Sequence, residues 1–512
     1  MIRLAEIFQD RMVLQRRKPI RIWGTSDCTV RIRVRINEKD VFQTLLNEGS
    51  FCCYLPPQEA MYDAEFCILA EDGTQICLHQ VDIGEVWIAG GQSNMEFMLR
   101  YDRDGAAVCR LANKEHLRFY DVGEYAYEGQ REEGVKRDMP WDRWMLFCPK
   151  EAGHFSAVGA YFGCYLSDVL AVPVGIVGCN WGGTTASAWL DEKLLRKEPA
   201  LNVYTDCYDR ALAELDLEQY LEQERESYEQ NGPVIGTDWL DAFLKAELTQ
   251  PPSEKEKEET ALWMASCRMG PHSENRPGGL YETMLKKISG YAVSGVLWYQ
   301  GESDDQHADI YAVLLATLIK CWRRDWQEQL PFLIVQLPPF EESSGNNGIN
   351  YPLMRAQQQM VEDTLPGAYV ASIMDVGSRY DIHPKDKRTV GERLARLALE
   401  EVYRFSKIAG HAPLFSRAEK EDGKITVHFS HTGEGLEEKG DVSALFRLTA
   451  AGKEERVILA SATVEKDRVI LHSSQIRKEG NYILSFAYMP YCRMSLYGND
   501  GLAARPFGRV EI

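Results

Sequence analysis

At 512 residues the chain is too long for one hydrophobic core, so roughly two to four domains are expected. Hydrophobic residues at 45% and charged residues at 26% suit a folded globular protein, and 58 Lys and Arg against 77 Asp and Glu leave a formal net charge of -19. A surface this acidic repels phosphate backbones and anionic lipid heads, so neither nucleic acid nor membrane is an expected partner.

The first residues hold no uninterrupted apolar segment of signal-peptide length, and no later stretch reaches the roughly 20 apolar residues that span a bilayer. The 13 cysteines are scattered, with Cys52 beside Cys53 and no CxxC pair. That pattern suits reduced, mostly buried thiols in a cytoplasm better than a disulfide framework, and gives no support to a paired-cysteine zinc site.

Residues 1–82 read as all-β. TVRIRVRI at 29–36 alternates strictly, with Val30, Ile32, Val34 and Ile36 on one face and arginines on the other, and similar short, turn-bounded pieces surround it. A small N-terminal β-sandwich is expected there. From 83 to 410 continuous apolar runs of strand length recur at 85–91, 172–178, 293–300, 331–337 and 368–376. Helix-like stretches at 157–170, 310–326 and 353–365 separate them. Buried strands alternating with helices predict an open α/β fold around a parallel sheet, with ligands at the strands' carboxyl ends. An insertion at 198–268, rich in Glu, Lys and Tyr and including the charge run SEKEKEE, reads as a solvated excursion or a helical cap. Strand-like pieces return from 411 to 512 and predict a C-terminal β domain.

Four motifs fall at predicted strand ends. GGQSNM at 90–95 follows the strand EVWIA. A serine in a tight turn there exposes Ser93 Oγ where substrates collect, with backbone N–H groups beside it; helix capping is the plainer use of such a serine. In NWGGTTASAW at 180–189 the paired glycines let backbone N–H groups approach a ligand, although an ordinary strand–helix turn uses them too. WYQGESDD at 298–305 offers the Gln300 amide as a donor, while Glu302, if ionised, can only accept and would orient a neighbour. Glu302, Asp304 and Asp305 crowd one loop, which fits poorly with two carboxylates flanking a glycosidic bond. In DIHPKDK at 381–387, His383 is placed by Pro384 and a following periodic helix, and Asp381, two residues before it, can reach the ring. Together these supply a nucleophile, a base, an orienting group and oxyanion donors: the set needed for acyl transfer.

With these residues in view, the sequence resembles the SGNH/GDSL hydrolase superfamily and, within it, the sialate O-acetylesterase family. GQSNM at 91–95 is similar to the family's nucleophile block, WGGT at 181–184 to the block that supplies an oxyanion N–H, WYQGESD at 298–304 to the third block, and DIHPKDK to the block carrying the base. IFQDRMVLQRRKPIRIWG, near the start, resembles its N-terminal β-region. The resemblance implies a three-layer α/β sandwich flanked by β domains, and no cofactor or metal. It implies Ser93 as the nucleophile, the Gly182 N–H as an oxyanion donor and His383 as the base; residue chemistry adds Asp381 as the orienting group, the Ser93 N–H and the Gln300 amide as further oxyanion donors, and Gln92, Asn94 and Glu302 as support. Two departures stand out. Many superfamily members carry an Asn donor in the third block where this chain has QGE, and they space acid and base as DxxH where it has DxH, which leaves Asp375 a rival to Asp381. The implied substrate is O-acetylated sialic acid, whose negative charge calls for an arginine such as Arg276, Arg355 or Arg379. Acetylated xylose or another plant-polysaccharide sugar is the alternative within the same chemistry, and a catalytically silent carbohydrate-binding protein is the alternative outside it.

Overall fold

The computed structural model describes residues 1–130, 142–231, 244–266, 268–451 and 456–512. They form a mixed α/β structure with several sheets. Two units divide the chain: Met1–Ala246 with Arg268–Gln300 and Val313–Phe332, and Glu247–Cys267 with Gly301–Ala312 and Leu333–Ile512.

The first unit opens with β1 (Ile2–Leu4), β2 (Val13–Gln15), β3 (Ile20–Ser26), β4 (Val30–Ile36), β5 (Lys39–Leu46), β6 (Gly49–Leu55), β7 (Met61–Ala70) and β8 (Gln75–Gly91). β1, β3 and β6 form one antiparallel sheet, and β4 pairs with β5 and β7 in another. The alternation in β4 is realised as read: Val30, Ile32, Val34 and Ile36 are buried, while Arg31 and Arg33 face solvent. β8 is 17 residues long. Its first part pairs with β7 and β2, and its second part enters the central sheet. The expected junction between residues 82 and 83 therefore lies inside a continuous strand.

β9 (Lys114–Asp121), β10 (Trp144–Phe147), β11 (Val174–Asn180) and β12 (Gly295–Tyr299) complete that sheet in the order β10-β9-β11-β8-β12. β11 runs parallel to both β9 and β8, β12 runs parallel to β8, and β10 is an antiparallel edge. Every residue of β11 and β12 is buried, which is why their sequences are unbroken apolar runs. The register sets Gly91 opposite both Asn180 and Tyr299, so three of the four sequence motifs leave the sheet side by side. Behind them the helix Ala157–Leu170 is capped by Ser156, whose Oγ accepts the Gly159 N–H at 3.1 Å and donates to the Met95 carbonyl at 2.6 Å.

In the second unit, β13 (Phe332–Val335) and β14 (Ala368–Ala371) are hydrogen-bonded neighbours. β14 stops short of the strand expected to run to 376, because the chain turns there and the Val376 N–H donates to the Ile373 carbonyl at 3.0 Å. The helices Tyr351–Thr364 and Lys387–Glu401 follow the predicted pattern. The C-terminal part holds β15 (Leu414–Glu421), β16 (Lys424–Ser430), β17 (Leu436–Glu438), β18 (Phe446–Ala450), β19 (Ser461–Glu465), β20 (Arg468–His472), β21 (Tyr482–Phe486), β22 (Leu496–Gly498) and β23 (Phe507–Glu511). They form the sheets β15-β16-β20-β19 and β18-β21-β23 and the pair β17-β22, over a core in which Phe486 packs on Phe446 and Phe507.

The described part of the 198–268 stretch is helical: Asn202–Glu214 and Leu217–Asn231 belong to the first unit and Glu254–Ser266, which carries the charge run, to the second. The expectation of reduced thiols needs one correction. Cys67 and Cys77 face each other across β7 and β8 and are bonded, a contact between strand partners that residue spacing could not reveal. The other described cysteines are free. Among the described residues no helix is long and apolar enough to cross a membrane.

The centre of the first unit is an indole cluster. Trp298 and Trp322 are fully buried and meet edge to face at 5.7 Å, and a Cβ at Gly90 would stand 3.2 Å from both rings. Trp298→Ala should cost about 3–5 kcal/mol of stability; a denaturation midpoint equal to wild type would show that this cluster is not the core of the unit.

Candidate active site

Gly91 ends β8 at φ 136°, and a Cβ there would lie 2.1 Å from the Tyr299 carbonyl oxygen, so only glycine lets β8 and β12 close at this point. The Gln92 N–H donates to that same carbonyl at 3.0 Å. The chain then turns into a single helical turn, Ser93–Glu96, in which the Met95 and Glu96 N–H groups donate to the Gln92 carbonyl. Gln92 and Asn94 are buried beneath the turn, and Ser93 is partly exposed at its start. Ser93 thus stands on a backbone held from both sides, with the Ser156 hydroxyl gripping the Met95 carbonyl from below.

The loop after β11 closes on this turn. The Trp181 N–H donates to the Gly91 carbonyl at 3.2 Å, and a Cβ at Gly182 would come within 3.2 Å of Ser93 Cβ. The Gly182 N–H, expected to face an oxyanion, instead donates to Glu96 Oε2 at 2.5 Å. Glu96 is the residue the sequence reading missed. The signal was available: it is three positions after Ser93, so on one helical turn it shares the serine's side. Gln300 also departs from expectation. It is fully buried, and its amide donates to the Thr184 carbonyl at 3.2 Å, tying the end of β12 to the glycine loop. The Thr184 hydroxyl bonds back to the Trp181 carbonyl at 2.7 Å and receives the Trp189 indole N–H at 3.0 Å, so the loop is rigid.

A small cavity beside the turn is lined by Glu96, Asp121, Glu124 and His154. Burial, with Arg100 and Arg143 nearby, lowers the His154 pKa.

In the second unit, Glu302 and Asp304 are buried in the turn that follows Gly301. His383 lies just before the helix Lys387–Glu401, whose N-cap Asp386 accepts the Thr389 N–H at 3.1 Å. Asp381 is buried, but its carboxylate does not hold the imidazole: one oxygen accepts the His383 backbone N–H at 2.9 Å and the other meets Lys385 Nζ at 3.0 Å. In the short DxH spacing the side chain folds onto the nearby backbone, as Asp does in Asx turns, and it fixes the loop rather than the ring. Asp375, the rival, is taken by Arg393 in a two-pronged pair at 2.6 and 2.8 Å. Burial, with the charges of Lys387 and Lys385, pushes the His383 pKa down from 6.5 to about 3, so the imidazole is neutral at ordinary pH.

All three arginines considered for an anionic sugar bond within the protein, Arg379 to a carboxylate and Arg276 and Arg355 to neutral carbonyls. Arg355 is buried and spends its guanidinium on the Met489 and Pro490 carbonyls. Arg379 pairs with Glu341 and stacks on Tyr491. Arg276 donates to the Ala126 carbonyl at 3.3 Å.

A serine on a glycine-backed turn at the end of a central parallel strand, with the Gly182 backbone closing beside it, is a site able to present a nucleophile. Residues 258–400 match the family described as carbohydrate esterase, sialic acid-specific acetylesterase. The chain is similar to the sialate O-acetylesterase of Mus musculus, 24% identical over 453 residues that span 81% of this chain and 76% of the other. The Homo sapiens sialate O-acetylesterase is likewise 24% identical, over 81% of this chain and 74% of its own. Among solved structures, a carbohydrate acetylesterase from Xanthomonas citri covers 99% of both chains at 27% identity with a TM-score of 0.75. The sialate O-acetylesterases thus align with 81% of this chain, and the Xanthomonas citri structure with 99% of it.

A histidine whose folded pKa lies below its unfolded value binds its proton only on unfolding. His383 should accordingly withdraw stability as pH falls from 6.5 toward 3, and add no further loss below that. Unfolding measured across this range in wild type and His383→Gln should show a shallower slope in the variant; identical slopes would refute the low pKa.

Proposed function

We propose that this chain is a carboxylic ester hydrolase that removes acetyl groups from carbohydrate hydroxyls through an acetyl-Ser93 intermediate. The placement of Ser93 carries this reading: its turn is locked by Gly91 against Tyr299, and the Gly182 backbone closes beside it. His383 is proposed as the base, with its imidazole neutral at ordinary pH. Its imidazole takes the Ser93 proton as Oγ bonds to the acetyl carbon. The carbonyl oxygen becomes an oxyanion stabilised by the Ser93 and Gly182 N–H groups. The C–O bond to the sugar then breaks, and the sugar oxygen leaves with the proton from His383. Water repeats the sequence, releasing acetate and restoring Ser93.

Two assignments differ from the motif-based scheme. Glu96 holds the Gly182 N–H in the unliganded state, and a carboxylate oxygen there occupies the position an oxyanion needs. In this scheme Glu96 swings aside when the ester enters. Gln300 acts by holding the Thr184 carbonyl, and hence the glycine loop, rather than by touching the oxyanion. The fold that carries these groups is proposed to be the SGNH three-layer sandwich with flanking β domains.

O-acetylated sialic acid is the substrate the comparisons favour. The Glu96 carboxylate on the Gly182 N–H favours an acetylated neutral sugar instead, since it would repel a sugar carboxylate. Acetate release from O-acetyl sialic acid and from acetylated xylo-oligosaccharide separates the two, with the larger kcat/KM naming the class.

Ser93→Ala should lower aryl-acetate turnover by roughly 10³-fold or more; turnover equal to wild type would rule the serine out. With a base of pKa about 3, kcat/KM should stay level from pH 7 to pH 5, where an ordinary histidine would already have lost most of its activity. An acid limb near 6.5 would show that the base titrates as an ordinary imidazole and would overturn the low pKa of His383.

A further inference from the structure

The second unit contains a pocket of about 270 Å³ that the proposed chemistry does not use. It lies among the end of the helix Tyr351–Thr364, the start of β14, the end of the helix Lys387–Glu401, and the edge formed by β15 and the turn after β16. Its size is at the low end for ligand sites, suited to a single sugar ring rather than to a larger cofactor.

The charges lining it are already matched internally. Arg505 is buried and grips Glu362, which also accepts the Val370 N–H at 2.8 Å. His411 Nε2 meets Glu401 Oε1 at 2.9 Å. The pocket thus has no surplus cation for an anion, while its carboxylates would repel one. What it offers is the carboxylates of Glu362 and Glu401, which still have accepting lone pairs, beside apolar surface from Tyr369, Leu414 and Pro366. Carboxylate acceptors next to an aromatic face fit the hydroxyl edge and C–H face of a pyranose.

The rim has its own peculiarity. His431 sits exposed at φ 54°, in the left-handed region that a non-glycine residue seldom adopts, and its ring lies 4.9 Å from that of His411. A neutral imidazole presents one donor and one acceptor, the pair a sugar diol matches.

We infer that this pocket is an accessory binding site for an uncharged pyranose unit of a polysaccharide, formed by His431, His411, Glu401 and Tyr369. It stands apart from the ester chemistry and requires no acetyl group. Binding of unacetylated xylohexaose and mannohexaose to the full chain tests it, by calorimetry and by the imidazole resonances of histidine-labelled protein. At least one hexasaccharide should bind saturably and shift the His411 and His431 signals. Glu401→Gln and His431→Asn should each weaken that binding roughly tenfold, the loss of about one hydrogen bond to the ligand. Asparagine tolerates the left-handed backbone, so the second variant keeps the fold. Aryl-acetate turnover should be unchanged in both, and Ser93→Ala should bind the sugar as wild type does. No saturable binding, binding undiminished in both variants, or shifts produced by N-acetylneuraminic acid or zinc alone and not by either hexasaccharide would overturn the assignment.

Discussion

The site around Ser93 depends on one close approach between strands. β8 and β12 come so near at their carboxyl ends that Gly91 touches the Tyr299 carbonyl where a side chain would have to be, and that same carbonyl takes the Gln92 N–H. The serine turn is fastened to the sheet by an atom of a different strand. Any residue with a Cβ at position 91 would push β12 away, loosen the turn, and move Tyr299 and Gln300 with it. The glycine pair after β11 follows the same logic from the other side, since the Trp181 N–H reaches the Gly91 carbonyl. Glycine is placed here to let three strand ends share a small space, which is the condition for a precise constellation of donors.

Much of this was legible in the chain. The strict alternation of β4 and the unbroken apolar runs of β8, β11 and β12 report burial on one face and on two faces, and the structure bears both out. The helices at Ala157–Leu170, Tyr311–Trp326 and Tyr351–Thr364 were visible from apolar spacing. That three motifs leave the sheet as neighbours follows from strand order, which α/β periodicity constrains but does not state. The extent of β8 was not legible, because a strand that serves two sheets changes its pattern midway and reads as two elements.

The partners of polar atoms were the least legible part. Gly182 and Asp381 each lie in the motif where the sequence put them, yet their hydrogen bonds go elsewhere: to Glu96, and to the His383 backbone with Lys385. A motif fixes which groups are near, while the choice among several acceptors within reach is settled by packing and by charge. Asp375 and Arg355 show the same limit. Both looked available as lone charges in the sequence, and both are satisfied by groups that the fold brings in from a distance, 18 residues away for Arg393 and more than 130 for the Met489 and Pro490 carbonyls.

β8 has a bearing on how the N-terminal β region can be treated. Its hydrogen-bonded ladder with β7 and its ladders with β11 and β12 belong to one uninterrupted backbone, and the Cys67–Cys77 bond staples the far end of that rod. The region is in consequence no removable cassette: a cut at residue 82 would sever the beam on which the serine turn is mounted.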